Sequence, residues 1–405
     1  MAMIVPVRSE MGGFGGVPTS GIDLWSDAVL RDPFDAYAEL RAVGPVVWLD
    51  RAGVFALTRH DGVRRALQDW RTYSSARGVM ITDEMNARAG NGVIMSDPPD
   101  HDRRRKILNQ QLVPRRLYER EEFVAARARE LVDRVLAAGT IDVVHDLGAE
   151  FSVSVVGDLV GLPVEGRDQL VQWALDGFDM WGPAGDRYER GRVGFRALLD
   201  YVAHVAIPGR LTPGRWGTEI FDAAETGAVA ADECPGIIQG YIHAGMDTTT
   251  SAIASAVLLF GRHPDAWRAV RADRGLLSGA VNEAIRLYSP VQRYTRCTTA
   301  DTMIDEFPIP AESRVAILIG SANRDERQFP DPDRFDINRP VTDHIGFGFG
   351  VHHCAGAALA KTEMLCLFDV LADHVAQFEL GEHRWGDNAA LHGLAELPVT
   401  LKQAA

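Results

Sequence analysis

Between about residues 100 and 290, apolar positions recur three and four apart, and this spacing predicts helix almost throughout. LYEREEFVAARARELVDRVLAAG is its clearest amphipathic stretch. Upstream, DPFDAYAELRAVGP reads as a helix with Pro33 early and Gly44 late. VVWLDRAGVFALT carries two β-rich runs around Asp50–Gly53, a hairpin pattern, and HDGVRRALQDW returns to helical spacing. From about 291 to 320 the pattern changes. CTTADTMIDEFPIPAESRVAILIG alternates short apolar runs with turn residues and predicts a small sheet. AALAKTEMLCLFDVLADHV is helical again, and ELPVTLKQ reads as a last strand. The expected fold is mostly α with small β-sheets, without the strand–helix alternation of a dinucleotide-binding sheet. Residues 1–20, rich in Gly, Pro and Ser, are expected to form an irregular arm.

Composition narrows the function. Of 405 residues, 46% are hydrophobic and 24% charged, as in ordinary globular proteins. A net charge of −14 argues against nucleic acid as the main partner. No apolar run, Ala252–Phe260 included, is long enough to span a bilayer, and MAMIVPVRSEMGG is a poor signal peptide. Four cysteines without a CxxC pair suit a reducing cytoplasm better than a disulfide framework.

The chemistry concentrates in IGFGFGVHHCAG, Ile345–Gly356. Gly346, Gly348 and Gly350 fit a phosphate loop poorly, because no clear strand or downstream ribose acid frames them. A zinc site from His344, His352, His353 and Cys354 lacks ligand spacing. A turn with a buried, inert cysteine is a third reading. A fourth is a thiolate ligand to haem iron. Cys354 precedes a long helix whose N–H groups favour negative sulfur, and glycines let a flat ligand approach the backbone.

FGFGVHHCAG resembles the haem-binding motif of the cytochromes P450, Phe–Gly–x–Gly–x–His–x–Cys–x–Gly, through Phe347, Gly348, Gly350, His352, Cys354 and Gly356. Three further segments lie in the family's order. EAIR, Glu283–Arg286, matches its Glu–x–x–Arg pair, for which Arg334 in FPDPDRFD is the expected third member. HAGMDTTTSA interrupts an expected helix from about Pro235 to Arg262 with Gly245 and three threonines. It resembles the oxygen-activation kink, which assigns Ala244 and Gly245 to the oxygen groove, Thr248 to a hydrogen bond with iron-bound oxygen, and Asp247 to proton relay. DPPDHDRRRKI places His101 and Arg105 on one helix face, and the resemblance makes them propionate ligands with Arg296 and His352. Arg103, Arg104 and Lys106 are either a solvated face or a docking patch for an acidic ferredoxin.

The resemblance runs from about Asp32 to Leu401. It implies one catalytic domain over residues 21–405, haem b, O2, a ferredoxin with its reductase as electron donors, a monomer, and a monooxygenase activity. SSARGV, FDMWGP, YSPVQRYTR, GSANRDERQF and LHGLAELPVTL are most similar to the bacterial cytochromes P450 that oxidise para-substituted benzoates. That likeness implies Arg88 as a carboxylate contact with Asn91 nearby, and Phe178, Trp181, Val291 and Tyr294 as walls around a small ring. Gln239 and His243 depart from the group's arginine and small polar residue, which points towards a neutral methoxyphenol hydrogen-bonded to His243. The competing readings are a hydroxylase of a larger terpenoid or polyketide, and a haem-thiolate binding protein without turnover.

Overall fold

The computed structural model describes residues 15–88, 92–340 and 343–404. Helices build most of it and pack around one large apolar cluster that includes Leu131, Phe151, Ile238, Ile253, Trp267 and Phe368. The expected Asp32–Pro45 helix spans Phe34–Val43, with Pro33 and Gly44 as its caps. The hairpin forms as Val46–Leu49 against Val54–Leu57, pairing Trp48 with Phe55. Among the described residues no helix is long and apolar enough to cross a membrane.

The hairpin belongs to a six-stranded sheet running Thr19–Ser20, Val46–Leu49, Val54–Leu57, Arg314–Leu318, Arg293–Thr298 and Tyr73–Ser74. Thr19–Ser20, expected in the irregular arm, pairs parallel to Trp48–Leu49 because Val17 beside it is buried and anchors the segment. Successive strand residues point to opposite faces, so Tyr294 and Arg296 share one.

A second sheet, Val375–Leu380, Pro398–Gln403 and Thr140–Asp142, contains the expected last strand and two strands that periodicity missed. VAQFEL and TID are too short and mixed in polarity to signal strand alone. Both depend on pairing with Pro398–Gln403.

The Pro235–Arg262 segment is two helices, Cys234–Gly245 and Asp247–Arg262, broken at Met246. Beyond the break the helix is buried on nearly every side. Leu277–Tyr288 and Ala357–His374 pack beside it, and the cysteine loop joins them.

Candidate active site

The cysteine loop is fixed from within and from behind. The Gly348 N–H donates to the Ile345 carbonyl and the Cys354 N–H to the Phe347 carbonyl, both at 2.8 Å. Gly348 and Gly350 both have φ of +70°, a left-handed backbone that favours glycine. A Cβ at Gly350 would stand 2.3 Å from the Leu67 carbonyl oxygen, so packing also demands this glycine. Gly346 likewise lies against Ile285. At Gly356 the nearest atom to such a Cβ is the Cys354 sulfur, at 4.0 Å, so open space remains there. The glycines expected to clear a porphyrin therefore divide: Gly346, Gly348 and Gly350 shape the loop, and Gly356 leaves room.

Behind the loop lies the Glu283–Arg286 pair, fully buried and bidentate at 2.7 and 2.8 Å. Arg286 also donates to the Asn323 carbonyl at 2.7 Å, and the Asn323 side-chain oxygen accepts the Ile345 N–H at 2.8 Å. That chain of bonds ties the pair to the cysteine loop. The third cation is Arg339, whose Nε donates to Glu283 at 3.0 Å. Arg334, expected in this role, is exposed and offers only its carbonyl, at 3.5 Å from Arg286. The loop between them turns the later arginine inward, where it also holds the Pro330 and Asp331 carbonyls.

Four groups expected around the propionates gather. Pro99 caps the Asp100–Leu112 helix, which places His101 in its first turn. Asp97, accepting from Ser74 Oγ and the Ser75 N–H, secures that start. The His101 and His352 rings meet edge to face at 4.5 Å, and the Nε2 of each is buried without a partner. Burial, then Arg296, His101 and Arg105, push His352 down to about 2. Arg296 is buried, donates among the described residues only to the Thr295 carbonyl, and is pulled down to about 10 chiefly by burial. Arg105 donates to Asn109 at 3.0 Å and to the His353 carbonyl.

Asp102 answers only His101 Nδ1, at 2.9 Å, so the Arg296 and Arg105 charges and the unpartnered Nε2 atoms of His101 and His352 suit an anion from outside the chain. A haem fits these residues: its propionates would meet His101, Arg105, Arg296 and His352, and its iron the Cys354 sulfur. Burial raises the Cys354 thiol, while the Gly356 N–H, the Arg105 charge and the Ala357 N–H oppose the rise. Among the described residues no group of three His, Cys, Asp or Glu is placed to hold a metal ion, as the zinc reading would need.

At the helix break, Thr248 Oγ1 donates to the Ala244 carbonyl at 2.8 Å and Thr250 Oγ1 to that of Met246 at 2.9 Å. Asp247 is buried, and its Oδ2 has no partner. Burial and then the charge of Asp179 raise its carboxyl to about 7. Asp179, which sequence reasoning missed, is itself raised to about 6, mainly by burial, and accepts the Ala389 N–H at 2.9 Å.

The expected substrate walls also converge. Phe178 and Trp181 lie 5.3 Å apart, and Trp181 and Tyr294 5.6 Å. Val291 packs with Phe178, Ala390 and Leu391, and forms an isolated bridge with Leu391. Tyr294 also lies under Arg296, ring to guanidinium, at 5.4 Å. Burial and then the charge of Cys354 push its hydroxyl up to about 12. Ala390 and Leu391 were not foreseen. Asn388 folds their loop by accepting both N–H groups at 3.0 Å while donating to the Leu175 carbonyl.

Gln239 sits one turn before His243 on the Cys234–Gly245 helix. His243, expected as a phenol contact, packs its ring on Phe178 and Phe195, and its Nε2, buried without a partner, abuts Gly177, where a Cβ would stand 2.7 Å away. Burial pulls it down to about 4, which keeps the ring neutral. Arg88 ends the Asp83–Arg88 helix. Its side chain, and Asn91 altogether, lie outside the described residues. The expected docking patch is also changed. Arg103 clamps Glu233 with bonds of 2.7 and 2.6 Å, and Arg104 approaches it at 3.5 Å, so only Lys106 remains exposed and free of that carboxylate. The start of the broken helix brings Glu233 to this face.

Comparison with known proteins agrees with this geometry. The cytochrome P450 family model matches residues 21–160 and 231–380. The chain is 36% identical to cytochrome P450 CYP199A2 of Rhodopseudomonas palustris, over 99% of its own length and 98% of the relative's. It is 30% identical to the 6-deoxyerythronolide B hydroxylase of Saccharopolyspora erythraea, over 94% and 98%. The solved structure of CalO2 superposes with a TM-score of 0.83 at 27% identity, covering 95% of this chain and 100% of that one. With its cysteine loop, buried Glu–Arg pair and helix break all in place, the chain belongs to the cytochrome P450 family and is a haem-dependent monooxygenase.

Proposed function

We propose that the protein hydroxylates or oxidatively O-demethylates a small, para-substituted aromatic compound, a methoxybenzoate or methoxyphenol, using haem b and electrons from a ferredoxin and its reductase. The observation that supports the substrate class is the largely apolar wall of Phe178, Trp181, Tyr294, Val291 and Leu391, its rings tilted 50° and 55° to one another and continuous with the Arg296 cluster. Bound haem supplies the redox chemistry, using O2 and two electrons to insert one oxygen atom into a C–H bond and release the other as water.

The chain's own residues orient substrate and manage protons. Thr248 Oγ1 gives its hydrogen to Ala244 and keeps its lone pairs for a proton donor in the groove. Asp247, raised to about 7, carries a proton part of the time at neutral pH on a buried carboxyl and is the acid nearest in sequence to Thr248. Hydroxylation of a methoxy carbon leaves a hemiacetal that collapses to a phenol and formaldehyde, so one active site can serve both outcomes. Arg88 is the proposed contact for a substrate carboxylate.

A panel of benzoates, methoxyphenols and terpenoids titrated against the holoenzyme, read by the low-to-high-spin shift, tests this reading. Aromatic ligands should shift the spectrum and terpenoids should not. A response to terpenoids alone would overturn it. Arg88→Ala should weaken acids more than matched neutral ligands. Cys354→Ser should abolish the thiolate-type Soret band of the reduced carbonyl complex.

A further inference from the structure

Away from the aromatic wall, a half-open cleft of about 280 Å³ lies where the far end of the Asp247–Arg262 helix meets the end of the Leu277–Tyr288 helix and the 385–392 segment. Leu391 packs with the wall and the adjacent His392 lines this cleft, so one short segment borders both.

Its aromatic side is preassembled. Trp385 and His392 stack at 4.2 Å and 10°, Tyr288 lies 5.2 Å from Trp385, and Phe34 meets His392 edge-on at 5.2 Å. His392 is 1% exposed. Its Nδ1 lies 3.4 Å from the Leu30 carbonyl, which can only accept, so Nδ1 carries the hydrogen. The buried Nε2 is therefore an acceptor, and it has no partner. Burial and the neighbouring arginines hold the ring neutral, at about 3.

The cleft also presents cations. Arg324, 8% exposed, spends Nε on the Leu287 carbonyl and Nη1 on Asp333. Its Nη2 has no hydrogen-bond partner among the described residues, and the guanidinium lies over the Phe34 ring, 3.5 Å from the centroid. Arg262 is held by two neutral groups, the Tyr288 hydroxyl at 3.0 Å and His383 at 3.1 Å, and has no carboxylate partner among the described residues. Arg31 is occupied by Asp387. Asp32 also lines the cleft, but Asp333 is the carboxylate that answers a guanidinium there.

We propose that this cleft is a second ligand site, taking a small aromatic carboxylate that bears a hydroxyl group. The carboxylate answers Arg262 and Arg324, the ring lies among the aromatic side chains, and the hydroxyl donates to His392 Nε2. Such a ligand supplies a donor for His392 Nε2 and a counter-charge for the two guanidinium groups, whereas water offers hydrogen bonds without the charge.

The test uses holoenzyme whose active site is blocked by an iron-binding azole, with 4-hydroxybenzoate as probe in titration calorimetry. Binding of one equivalent is expected, with no change in the azole-type Soret band. Arg262→Gln should weaken it about ten-fold or more, the scale of a lost charged hydrogen bond. Benzoate, lacking the hydroxyl, should bind more weakly than 4-hydroxybenzoate to the unmodified enzyme but equally well to His392→Leu. Absence of binding to the azole-blocked enzyme would overturn the proposal. So would an affinity unchanged in both Arg262→Gln and His392→Leu, or displacement of the azole by the probe as the sole source of heat.

Discussion

Two buried carboxylates, one behind the cysteine loop and one at the helix break, are treated in opposite ways. Glu283 is fully buried and meets Arg286, Arg339 and the Asp336 N–H. Asp247 is 5% exposed, has an oxygen without a partner, and faces another acid, Asp179. A low-dielectric interior makes an unpaired charge costly, so burial raises the Asp247 carboxyl, whereas Glu283 is matched by two guanidinium partners. The first arrangement builds a scaffold. The second stores a proton beside Thr248. Satisfied charges mark structure here, and unsatisfied ones mark chemistry.

Glu283→Gln attacks the scaffold half of that contrast and should have the largest effect. It leaves Arg286 and Arg339 buried without a counter-charge, at a cost of about 3–5 kcal/mol. Denaturant unfolding of the holoprotein reads the loss; unchanged stability would break the contrast. Thr248→Ala attacks the other half. Fold and haem content should remain, while product per electron pair falls by about an order of magnitude or more and reductant is still consumed. Tight coupling retained in that variant would remove the proton-delivery role.

Asp247→Asn should have a smaller, pH-dependent effect. Because burial raises the Asp247 carboxyl to about 7, coupling in the unmodified enzyme should decline as pH rises through 7 and be flat in the variant. Stability has the matching sign. The folded state holds this proton more tightly than the unfolded chain, so the contribution is present at low pH and lost as pH rises from the ordinary carboxylate range to about 7. Asparagine should therefore be the more stable side chain at pH 8, and the gain should shrink near pH 5. Thermal unfolding at both pH values checks it. Arg334→Ala is the smallest case, within about 0.5 kcal/mol of the parent, because its guanidinium is not part of the Glu283 cluster. A large loss there would restore Arg334 to the role that Arg339 holds.

The sites legible in the chain were those with local rules. Pro99 announces the helix start that positions His101. Gly245 and the threonines announce the break, because mid-helix they favour other bonds, and two of them bond back to carbonyls. Contacts across long separations left no trace. Glu233 lies 130 residues from Arg103, and nothing near either residue foretells the clamp that ties part of this basic face to a carboxylate. Arg334 and Arg339 share one irregular loop, where no periodicity says which side chain turns inward. Nothing near His243 foretells that the bare backbone of Gly177 makes room for its ring.

The sequence by itself determined the helical class, the break at residues 245–248 and the chemistry available at Cys354, since these follow from periodicity, backbone propensity and residue type. Tertiary structure alone decided which charges are paired, because pairing depends on which distant segments a fold brings within a few ångströms. It gave Glu283 its second arginine, left Asp247 near the charge of another acid, and gathered two arginines and two histidines that a haem's carboxylates can satisfy.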